Sequence, residues 1–202
     1  MKICHITSVH QRYDTRIFLK MCSSLAKNGN EVTLLVADGL GNEIKTGVQI
    51  LDVGSRSSSR VSRMINTVRK IYKRAVELDI DIYHLHDPEL IPLGLKLKKS
   101  GKKVIFDAHE DLPKQIFGKP YLNNTAKHIL SKTAQLFENW VCPKFDVIIA
   151  ATPSIGHRFL DINPNTVVIN NYPKLNELSN TTNWDRKKNE VAYVGGITKI
   201  RG

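Results

Sequence analysis

The fold of this 202-residue chain is decided by one segment, Asp81–Pro113, which reads DIYHLHDPELIPLGLKLKKSGKKVIFDAHEDLP. Two short and mostly apolar runs, Ile82–Leu85 and Lys103–Asp107, predict buried strands. Between them, Pro88–Lys99 predicts a helix that has proline in its first turn and is ended by Gly101. A strand–helix–strand unit of this kind joins parallel neighbours in one sheet.

The same alternation of strands and helices continues on both sides of this segment. The further predicted strands lie at 2–7, 32–37, 48–53, 147–150 and 167–170. The further predicted helices lie at 14–27, 61–75, 125–141 and 154–160, and residues 110–123 are predicted to form a long loop. Apolar strands separated by amphipathic helices are typical of a parallel sheet that is covered on both faces. We therefore predict an α/β fold with a doubly wound, Rossmann-like parallel sheet of about seven strands.

Helical periodicity also predicts which side chains of two long helices face the core. In the helix at 61–75 the predicted core-facing residues are Val61, Met64, Ile65, Val68, Ile71, Tyr72 and Ala75. In the helix at 125–141 they are Ile129, Leu130, Phe137 and Trp140.

A change in composition near the C-terminus predicts the domain organisation. Residues 1–173 contain the predicted sheet, whereas residues 174–189, KLNELSNTTNWDRKKN, are polar and poor in apolar side chains, which is typical of a linker. Residues 190–202 begin with an apolar run, Val191–Val194, which is followed by two glycines. We therefore expect the chain to end at the start of a truncated second domain.

The chain carries 30 Lys and Arg residues against 19 Asp and Glu residues, which gives a formal net charge of +11. A positive field attracts polyanions such as nucleic acid, anionic lipid or phosphorylated substrates. The acid-free stretch 56–74 contains seven basic residues: Arg56, Arg60, Arg63, Arg69, Lys70, Lys73 and Arg74. This stretch is either an ordinary solvated helix face or a contact surface. The basic residues belong to no recognisable nucleic-acid-binding module, so we expect no nucleic-acid partner.

Cysteine content and hydropathy bear on the cellular compartment. The three cysteines, Cys4, Cys22 and Cys142, are widely spaced and form no CxxC pair, which is typical of free thiols in a reducing cytoplasm. The sequence has no apolar run long enough to predict a membrane span, and its N-terminus lacks the features of a signal peptide. We therefore expect a cytoplasmic protein.

Ligands of doubly wound sheets bind beyond the carboxyl ends of the strands, so the polar residues at those ends are the candidate site. The candidates are His10, Asp14 and Arg16 after the first strand, His86 and Asp87 after the fourth, and His109 and Glu110 after the fifth. The last two strands are followed by Thr152, Ser154, Asn170, Asn171 and Tyr172. Because these strand ends meet at one edge of the sheet, we predict a single cleft lined by histidines and carboxylates.

Several of these residues also allow a purely structural interpretation. Asp14 stands where a helix N-cap is favoured. His84 and His86 point to the same face of a strand, so His84 is equally well a hydrogen-bonded core residue. A divalent metal held by His84, His86 and Asp87 is an alternative, but this spacing matches no specific metal signature. The first turn, Ser8–Gln11, has no GxGxxG pattern and so does not predict a dinucleotide site.

Three stretches together resemble the N-terminal domain of glycosyltransferase family 4, a large retaining family that builds bacterial surface polysaccharides. They are KICHITSVHQRYDTRIFLKMCSSLAKNGNEVTLLVAD at 2–38, the segment Asp81–Pro113, and VAYVGGITKIRG at 191–202. The resemblance implies a GT-B architecture, in which two Rossmann-like domains face each other across a cleft. The N-terminal domain of the family usually holds the acceptor, and the C-terminal domain holds most contacts to the nucleotide-sugar donor.

The resemblance also implies roles for individual residues. His109 matches the family histidine that lies near the transferred sugar, so it is the expected catalytic residue. Gly195, Gly196 and Arg201 match the loop that binds the donor pyrophosphate. Gly196 stands where the family often has arginine, and Arg201 stands at the lysine position. Basic side chains stabilise the leaving nucleoside diphosphate, so no metal and no further cofactor are expected.

The function that the resemblance implies is transfer of a sugar from a nucleotide-sugar donor to a lipid-linked or glycan acceptor, as in lipopolysaccharide O-antigen or capsule assembly. This chain would then be the acceptor-side half of the enzyme and would be inactive by itself. A lipid-linked acceptor would place the enzyme at the inner face of the membrane, where the basic stretch 56–74 would contact anionic lipid. The alternative is a non-catalytic binding or scaffold module of a polysaccharide assembly complex.

Overall fold

A computed structural model of the chain describes residues 1–175 and 183–191. Within these ranges, eight strands form one sheet in the order β3-β4-β2-β1-β5-β6-β7-β8. The strands are β1 (Lys2–Ile6), β2 (Glu31–Val36), β3 (Glu43–Lys45), β4 (Val48–Asp52), β5 (Ile82–Leu85), β6 (Lys103–Ala108), β7 (Val147–Ala150) and β8 (Thr166–Val168). Neighbouring strands are parallel except β3 and β4, which form an antiparallel hairpin at one edge. The predicted doubly wound α/β sheet is confirmed.

Helices cover both faces of the sheet. They are α1 (Thr15–Cys22, π-helical, continued by Ser23–Lys27), α2 (Arg60–Ser62, the π-helical Arg63–Thr67, and Val68–Val76), α3 (Ile91–Lys99, after a 3-10 turn at Pro88–Leu90), α4 (Leu112–Phe117), α5 (Asn124–Val141, followed by a 3-10 turn at Cys142–Lys144) and α6 (Pro153–Leu160). A further 3-10 turn lies at Trp184–Arg186. Among the residues described, no helix is both long and apolar enough to cross a membrane.

Two apolar cores hold these layers together. The larger core lies under α2, α3, α5 and α6, where side chains such as Leu97 and Phe159 are fully buried with residues of the sheet. The smaller core lies under α1, where Ile17 and Phe18 pack with Leu34 of β2. Helix α1 thus packs on β2 and β4, and its first turn lies close to the carboxyl end of β6, where Arg16 binds Asp107.

The sheet has one strand, β3, that the sequence pattern did not predict. It pairs with β4 in antiparallel register, with Ile44 opposite Gln49. Thr46 and Gly47 form the turn between the two strands and have φ angles of 49° and 78°, as two-residue hairpin turns require. Ile44 is 79% exposed, so this strand buries no apolar face and leaves no hydrophobic signal in the sequence.

The loop predicted at 110–123 is wrong in its first half, which forms helix α4. Asp111 caps this helix by accepting a hydrogen bond from the backbone N–H of Lys114, and Pro113 occupies its first turn. An acidic cap followed by proline is a helix-start signal. The glycine and proline that follow, Gly118 and Pro120, made the stretch read as a loop.

The core-facing residues predicted for α5 are mostly wrong, because a polar residue faces the interior. Glu138 of α5 is 1% exposed and forms an ion pair with Arg158 of α6, which also lies 3.3 Å from Asp111. One guanidinium thereby joins α4, α5 and α6. Phe137 is partly buried against the core, whereas three predicted core residues are exposed: Ile129 (61%), Leu130 (45%) and Trp140 (59%).

The core-facing residues predicted for α2 are correct only in its second half. Ile71 and Ala75 are fully buried. The exposed residues are Val61 (68%), Met64 (54%) and Ile65 (61%). The π-helical part, Arg63–Thr67, has more residues per turn than an α-helix. The apolar face predicted from the α-helical period therefore does not continue through this part of α2.

The close approach of α3 to the sheet generates a stability prediction at Gly94. Alanine normally stabilises a helix interior relative to glycine by about 1 kcal/mol. At this position its Cβ would lie 2.6 Å from Leu85 Cδ1 and 2.9 Å from Phe145 Cζ, and both side chains are buried. Because overpacking costs about 1–3 kcal/mol, we expect Gly94→Ala to lower the free energy of unfolding by about 1 kcal/mol, measured by urea denaturation.

The matched control is Lys99→Ala at the exposed end of the same helix, which should change the free energy of unfolding by less than about 0.5 kcal/mol. A Gly94→Ala protein more stable than the wild type would contradict the close packing of α3.

Candidate functional site

The carboxyl ends of β1, β5 and β6 lie side by side, and the loop after β1 reaches β5. His10 in this loop lies between two carboxylates: its Nδ1 is 3.4 Å from Asp14 Oδ2, and its Nε2 is 3.3 Å from Asp87 Oδ1. Hydrogen bonds to Asp14 and Asp87 raise the pKa of His10 to about 10, so the ring is an imidazolium at neutral pH. The bond from His10, together with backbone N–H donors, lowers the pKa of Asp14 to about 2.

Asp87 anchors the loop that carries His10. Its Oδ2 accepts hydrogen bonds from Ser8 N (2.6 Å), Thr7 Oγ1 (2.9 Å) and Ser8 Oγ (3.1 Å). Burial by itself would raise the pKa of Asp87, but the bonds from His10 and from the Ser8 backbone hold the pKa below its usual value. Asp87 is therefore a buried, ionised carboxylate that fixes the loop.

A buried ion pair underlies the same edge of the sheet. Arg16 of α1 donates from Nη2 to Asp107 Oδ1 (2.8 Å), from Nε to Asp107 Oδ2 (3.0 Å) and from Nη1 to the Ile169 carbonyl oxygen (3.1 Å). His86 Nδ1 lies 3.2 Å from Asp107 Oδ2. Burial would raise the pKa of Asp107, but the bonds from His86 and Arg16 hold it far below its ordinary value. Arg16 thus ties α1 to β6 and to the segment after β8.

These residues form part of a cleft of about 520 Å³ at the carboxyl ends of β6, β7 and β8. Its lining residues are His10, Asp14, Arg16, Ile17, His109, Ala151, Thr152, Asn170, Asn171 and Tyr172. The rings of His109 and His10 meet edge to face, with centroids 5.1 Å apart. His109 Nδ1 lies 3.3 Å from the Asp107 carbonyl oxygen. A carbonyl only accepts, so Nδ1 of His109 carries a proton.

Four of the candidate residues, His86, Asp87, Glu110 and Ser154, do not line the cleft. His86 and Asp87 are 0% and 3% exposed, so they support the cleft from below. Glu110 is exposed next to His109 but does not contribute to the lining. The alternative metal set of His84, His86 and Asp87 does not assemble, because successive side chains of an extended segment point to opposite sides and Asp87 bonds the loop after β1.

Sequence reasoning did not consider His5, which lies inside β1. Its Nδ1 is 2.8 Å from His86 Nε2, and the parallel register places it opposite His84. Its neighbours Cys4 and Ile6 belong to the larger core, so strand alternation points His5 to the other face of the sheet. Strand alternation is therefore the sequence signal that identifies His5, because a residue in the middle of a strand is not among the polar residues at the strand ends.

The residues matched to the donor-pyrophosphate loop, Gly195, Gly196 and Arg201, lie outside the described residues, as does nearly all of the strand predicted at 191–194. Their roles stay predictions. The division into a domain at 1–173, a linker at 174–189 and a further domain from 190 also stays a prediction.

Comparison with known proteins identifies a family. The sequence profile described as Glycosyltransferase Family 4 matches residues 15–172. A comparison with curated proteins gave no significant match.

Solved structures share the fold. Sucrose-phosphate synthase from Thermosynechococcus elongatus superposes with a TM-score of 0.59 at 12% identity, over 83% of this chain and 47% of that chain. The Anabaena protein HepE in complex with UDP and glucose gives 0.54 at 11% identity, over 85% and 44%. The catalytic domain of starch synthase IV from Arabidopsis thaliana, bound to ADP and acarbose, gives 0.53 at 10% identity, over 84% and 51%. The chain therefore spans about half the length of these structures.

The two carboxylates around His10 generate a prediction about its protonation. We expect the His10 imidazole to remain charged through pH 8 in NMR titrations, because its pKa lies near 10. Asp14→Asn removes one of the two carboxylate partners and should lower the pKa of His10 markedly. Asp161→Asn, at an exposed position after α6, should leave the His10 titration unchanged. A wild-type His10 whose pKa lies near the ordinary histidine value of about 6.5 would contradict the bridging geometry.

The raised pKa of His10 also makes the free energy of unfolding depend on pH, and the direction of the shift fixes the sign of that dependence. The folded-state pKa of His10 is raised, so its stabilising contribution is complete below about pH 6.5. The contribution is then lost as pH rises through about 10. The difference in free energy of unfolding between wild type and His10→Gln should therefore shrink between neutral pH and about pH 10, as measured by urea denaturation.

Proposed function

Because the chain belongs to Glycosyltransferase Family 4, whose profile covers residues 15–172, we propose that it is the acceptor-side half of a retaining glycosyltransferase. In this proposal a sugar passes from a nucleotide-sugar donor to a lipid-linked or glycan acceptor in cell-surface polysaccharide synthesis. The observation that carries the proposal is the polar cleft of about 520 Å³ with His109 in its lining.

The chemistry of the cleft suits hydroxyl groups better than phosphate. Amide and hydroxyl side chains line one side, from Thr152, Asn170 and Tyr172, and such groups can both donate to and accept from a sugar hydroxyl. The two cations of the lining, His10 and Arg16, already bind carboxylates. A donor diphosphate would therefore find little unpaired positive charge among the described lining residues.

The donor diphosphate is accordingly assigned to other residues. In the proposal Gly195, Gly196 and Arg201 hold it, as their match to the family loop implies. Negative charge builds on the diphosphate as the sugar departs, and a guanidinium can stabilise that charge without a metal. Two of the structural neighbours, HepE and starch synthase IV, contain UDP and ADP respectively, which supports a nucleotide-sugar donor here.

His109 would act on the transferred sugar. Its Nδ1–H is directed to the Asp107 carbonyl, and in this proposal an unprotonated Nε2 accepts a hydrogen bond from a sugar hydroxyl. A fixed acceptor of this kind orients the donor and stabilises an oxocarbenium-like transition state more than the ground state. Removing it should lower turnover and leave acceptor binding nearly unchanged.

The second candidate function is a non-catalytic binding or scaffold module of a polysaccharide assembly complex. The observation that favours it is the cleft lining, whose amide and hydroxyl side chains can bind glycan hydroxyls while its cations, His10 and Arg16, are already paired with carboxylates. The two functions differ in one measurable property. The enzyme transfers sugar when the chain is joined to a donor-binding half, whereas the module binds glycan without transfer.

The catalytic proposal predicts a large effect of His109→Ala. With a donor-binding half present and membrane lipid extract as acceptor source, release of nucleoside diphosphate should slow at least about a hundredfold. The KM for acceptor should stay within about twofold, because the contact is made mostly in the transition state. His128→Ala, which removes an exposed histidine of α5, is the matched control and should retain wild-type turnover. A near-native His109→Ala enzyme would remove this residue from the site.

A lipid-linked acceptor would require the enzyme to reach a membrane surface, and α2 suits that task. Among the side chains that the structure describes, the exposed basic residues on or beside it are Arg56, Arg69, Lys70 and Lys73. Exposed apolar side chains occupy its first half, Val61, Met64 and Ile65. A helix with both features can bury its apolar side chains at a lipid interface while the basic residues contact anionic head groups. We include peripheral attachment to the inner membrane face in the proposal.

The seven basic residues of 56–74 do not contribute equally to this surface. Arg63 makes two hydrogen bonds to Glu89, at 2.8 and 2.9 Å, and Arg74 pairs with Glu77 at 2.9 Å. Both are therefore engaged within the protein, and the exposed residues Arg69, Lys70 and Lys73 are the better targets for testing membrane attachment.

Membrane attachment predicts salt-sensitive binding to vesicles. Co-sedimentation should rise with the phosphatidylglycerol fraction and fall with added salt, because exposed charges are screened. Arg69→Glu/Lys70→Glu should abolish binding, and Met64→Ser/Ile65→Ser should weaken it at constant charge. Lys27→Glu/Lys45→Glu changes the net charge equally at exposed positions outside α2 and should bind as the wild type. Equal loss of vesicle binding in this control would show that binding depends only on the overall charge of the protein.

A further inference from the structure

Three histidines are packed together in the sheet beneath the cleft. His5 of β1 lies opposite His84 of β5 in parallel register, and His86 follows two residues later on the same face. Their ring centroids are 4.5 to 5.1 Å apart, and their exposures are 0%, 4% and 0%. The proposed glycosyl transfer makes no use of His5 or His84.

The hydrogen bonds of this cluster leave ring nitrogens without partners. Asp107 is ionised through its pairing with Arg16, so His86 donates its Nδ1 proton to Asp107 and keeps a lone pair on Nε2. His5 Nδ1 lies 2.8 Å from that Nε2. Within the described residues, His5 Nε2 and His84 Nε2 are buried without a hydrogen-bond partner. Buried polar atoms without partners are uncommon in native proteins and require an explanation.

We infer that His5, His84 and His86 form a binding site for a divalent cation of the zinc type. One ring nitrogen from each histidine can be chosen so that all three lie within 4.8 Å of one another. Three imidazoles supply three positions of a tetrahedral site, and a water molecule is small enough to complete it. Imidazole is a preferred ligand of zinc and copper and a poor one for magnesium or calcium.

One further feature of the cluster suits a metal ligand set. His86 has a carboxylate, Asp107, on the ring nitrogen that faces away from the cluster. Histidines that bind metals commonly donate their second ring N–H to such a carboxylate, which orients the ring and strengthens it as a ligand.

The metal site would stabilise the fold and would take no part in sugar transfer. Its ligands are buried below the cleft, and they join β1 to β5 at the point where Asp107 binds Arg16. A cation there would fix the ring of His86 and, through it, the position of Asp107. The proposed metal site is independent of the proposed function, because neither the sugar donor nor the acceptor would contact the bound cation.

The test is the metal content of the 202-residue chain, purified through a tag without histidines. We expect about one zinc per chain to survive dialysis, and Co²⁺ in its place should give the intense visible absorption of a tetrahedral site. Zn²⁺ added to chelator-treated protein should raise the melting temperature, since a ligand that binds only the folded state stabilises it. A chain that retains no metal, with no thermal shift and no Co²⁺ spectrum, would overturn the inference.

Variants then locate the site. His84→Leu and His5→Gln should each reduce retained zinc to below about a tenth of an equivalent and remove the thermal shift, because three ligands are needed for tight binding. The matched control is His128→Ala/His157→Ala, which removes two exposed histidines and should retain zinc. X-ray absorption of the wild-type zinc protein needs no variant, and it should count three imidazole ligands. Fewer than three, or zinc binding unaffected in both variants, would rule out this cluster.

Discussion

The buried ion pair between Arg16 and Asp107 is the interaction on which the rest of the site depends. Two hydrogen bonds of 2.8 and 3.0 Å join the two side chains, and a third bond from Arg16 holds the Ile169 carbonyl. Buried charges are costly unless they are paired and hydrogen-bonded, and removal of one partner typically costs about 3–5 kcal/mol. Three separate parts of the chain, α1, β6 and the segment after β8, are therefore held in one arrangement around the cleft.

Pairing of charges also determines the electrostatic properties of the cleft. His10 lies between Asp14 and Asp87, so its positive charge is compensated on two sides. Exposed basic residues lie on α2, among them Arg69 and Lys70. The polar lining of the cleft and this cationic surface are thus separate parts of the chain. A net charge of +11 gives no indication of this separation.

Sequence periodicity was sufficient for the fold and for the edge of the sheet that carries the cleft, because both follow from short apolar strands between amphipathic helices. Periodicity gave wrong core-facing residues in two helices, α2 and α5. The π-helical turn of α2 displaced its apolar face, and Glu138 took an inward position in α5 because Arg158 neutralises it. At the site, strand ends gave His10 and His109, but only the three-dimensional pairing of strands could bring His5 to His86.

The ion pairs of Arg158 with Asp111 and Glu138 have a consequence for motion. Helix α4, the short helix after β6, is not free to move by itself. Its capping residue Asp111 is bonded to Arg158, and the same guanidinium also binds Glu138 of α5, the longest helix of the described residues. Displacing α4 alone would separate two part-buried charges, the Arg158 guanidinium and the Asp111 carboxylate, and so would cost their mutual attraction. The three helices therefore form one cooperative unit, and the wall beside the cleft should shift only as a rigid body, with hydrogen-exchange protection common to all three.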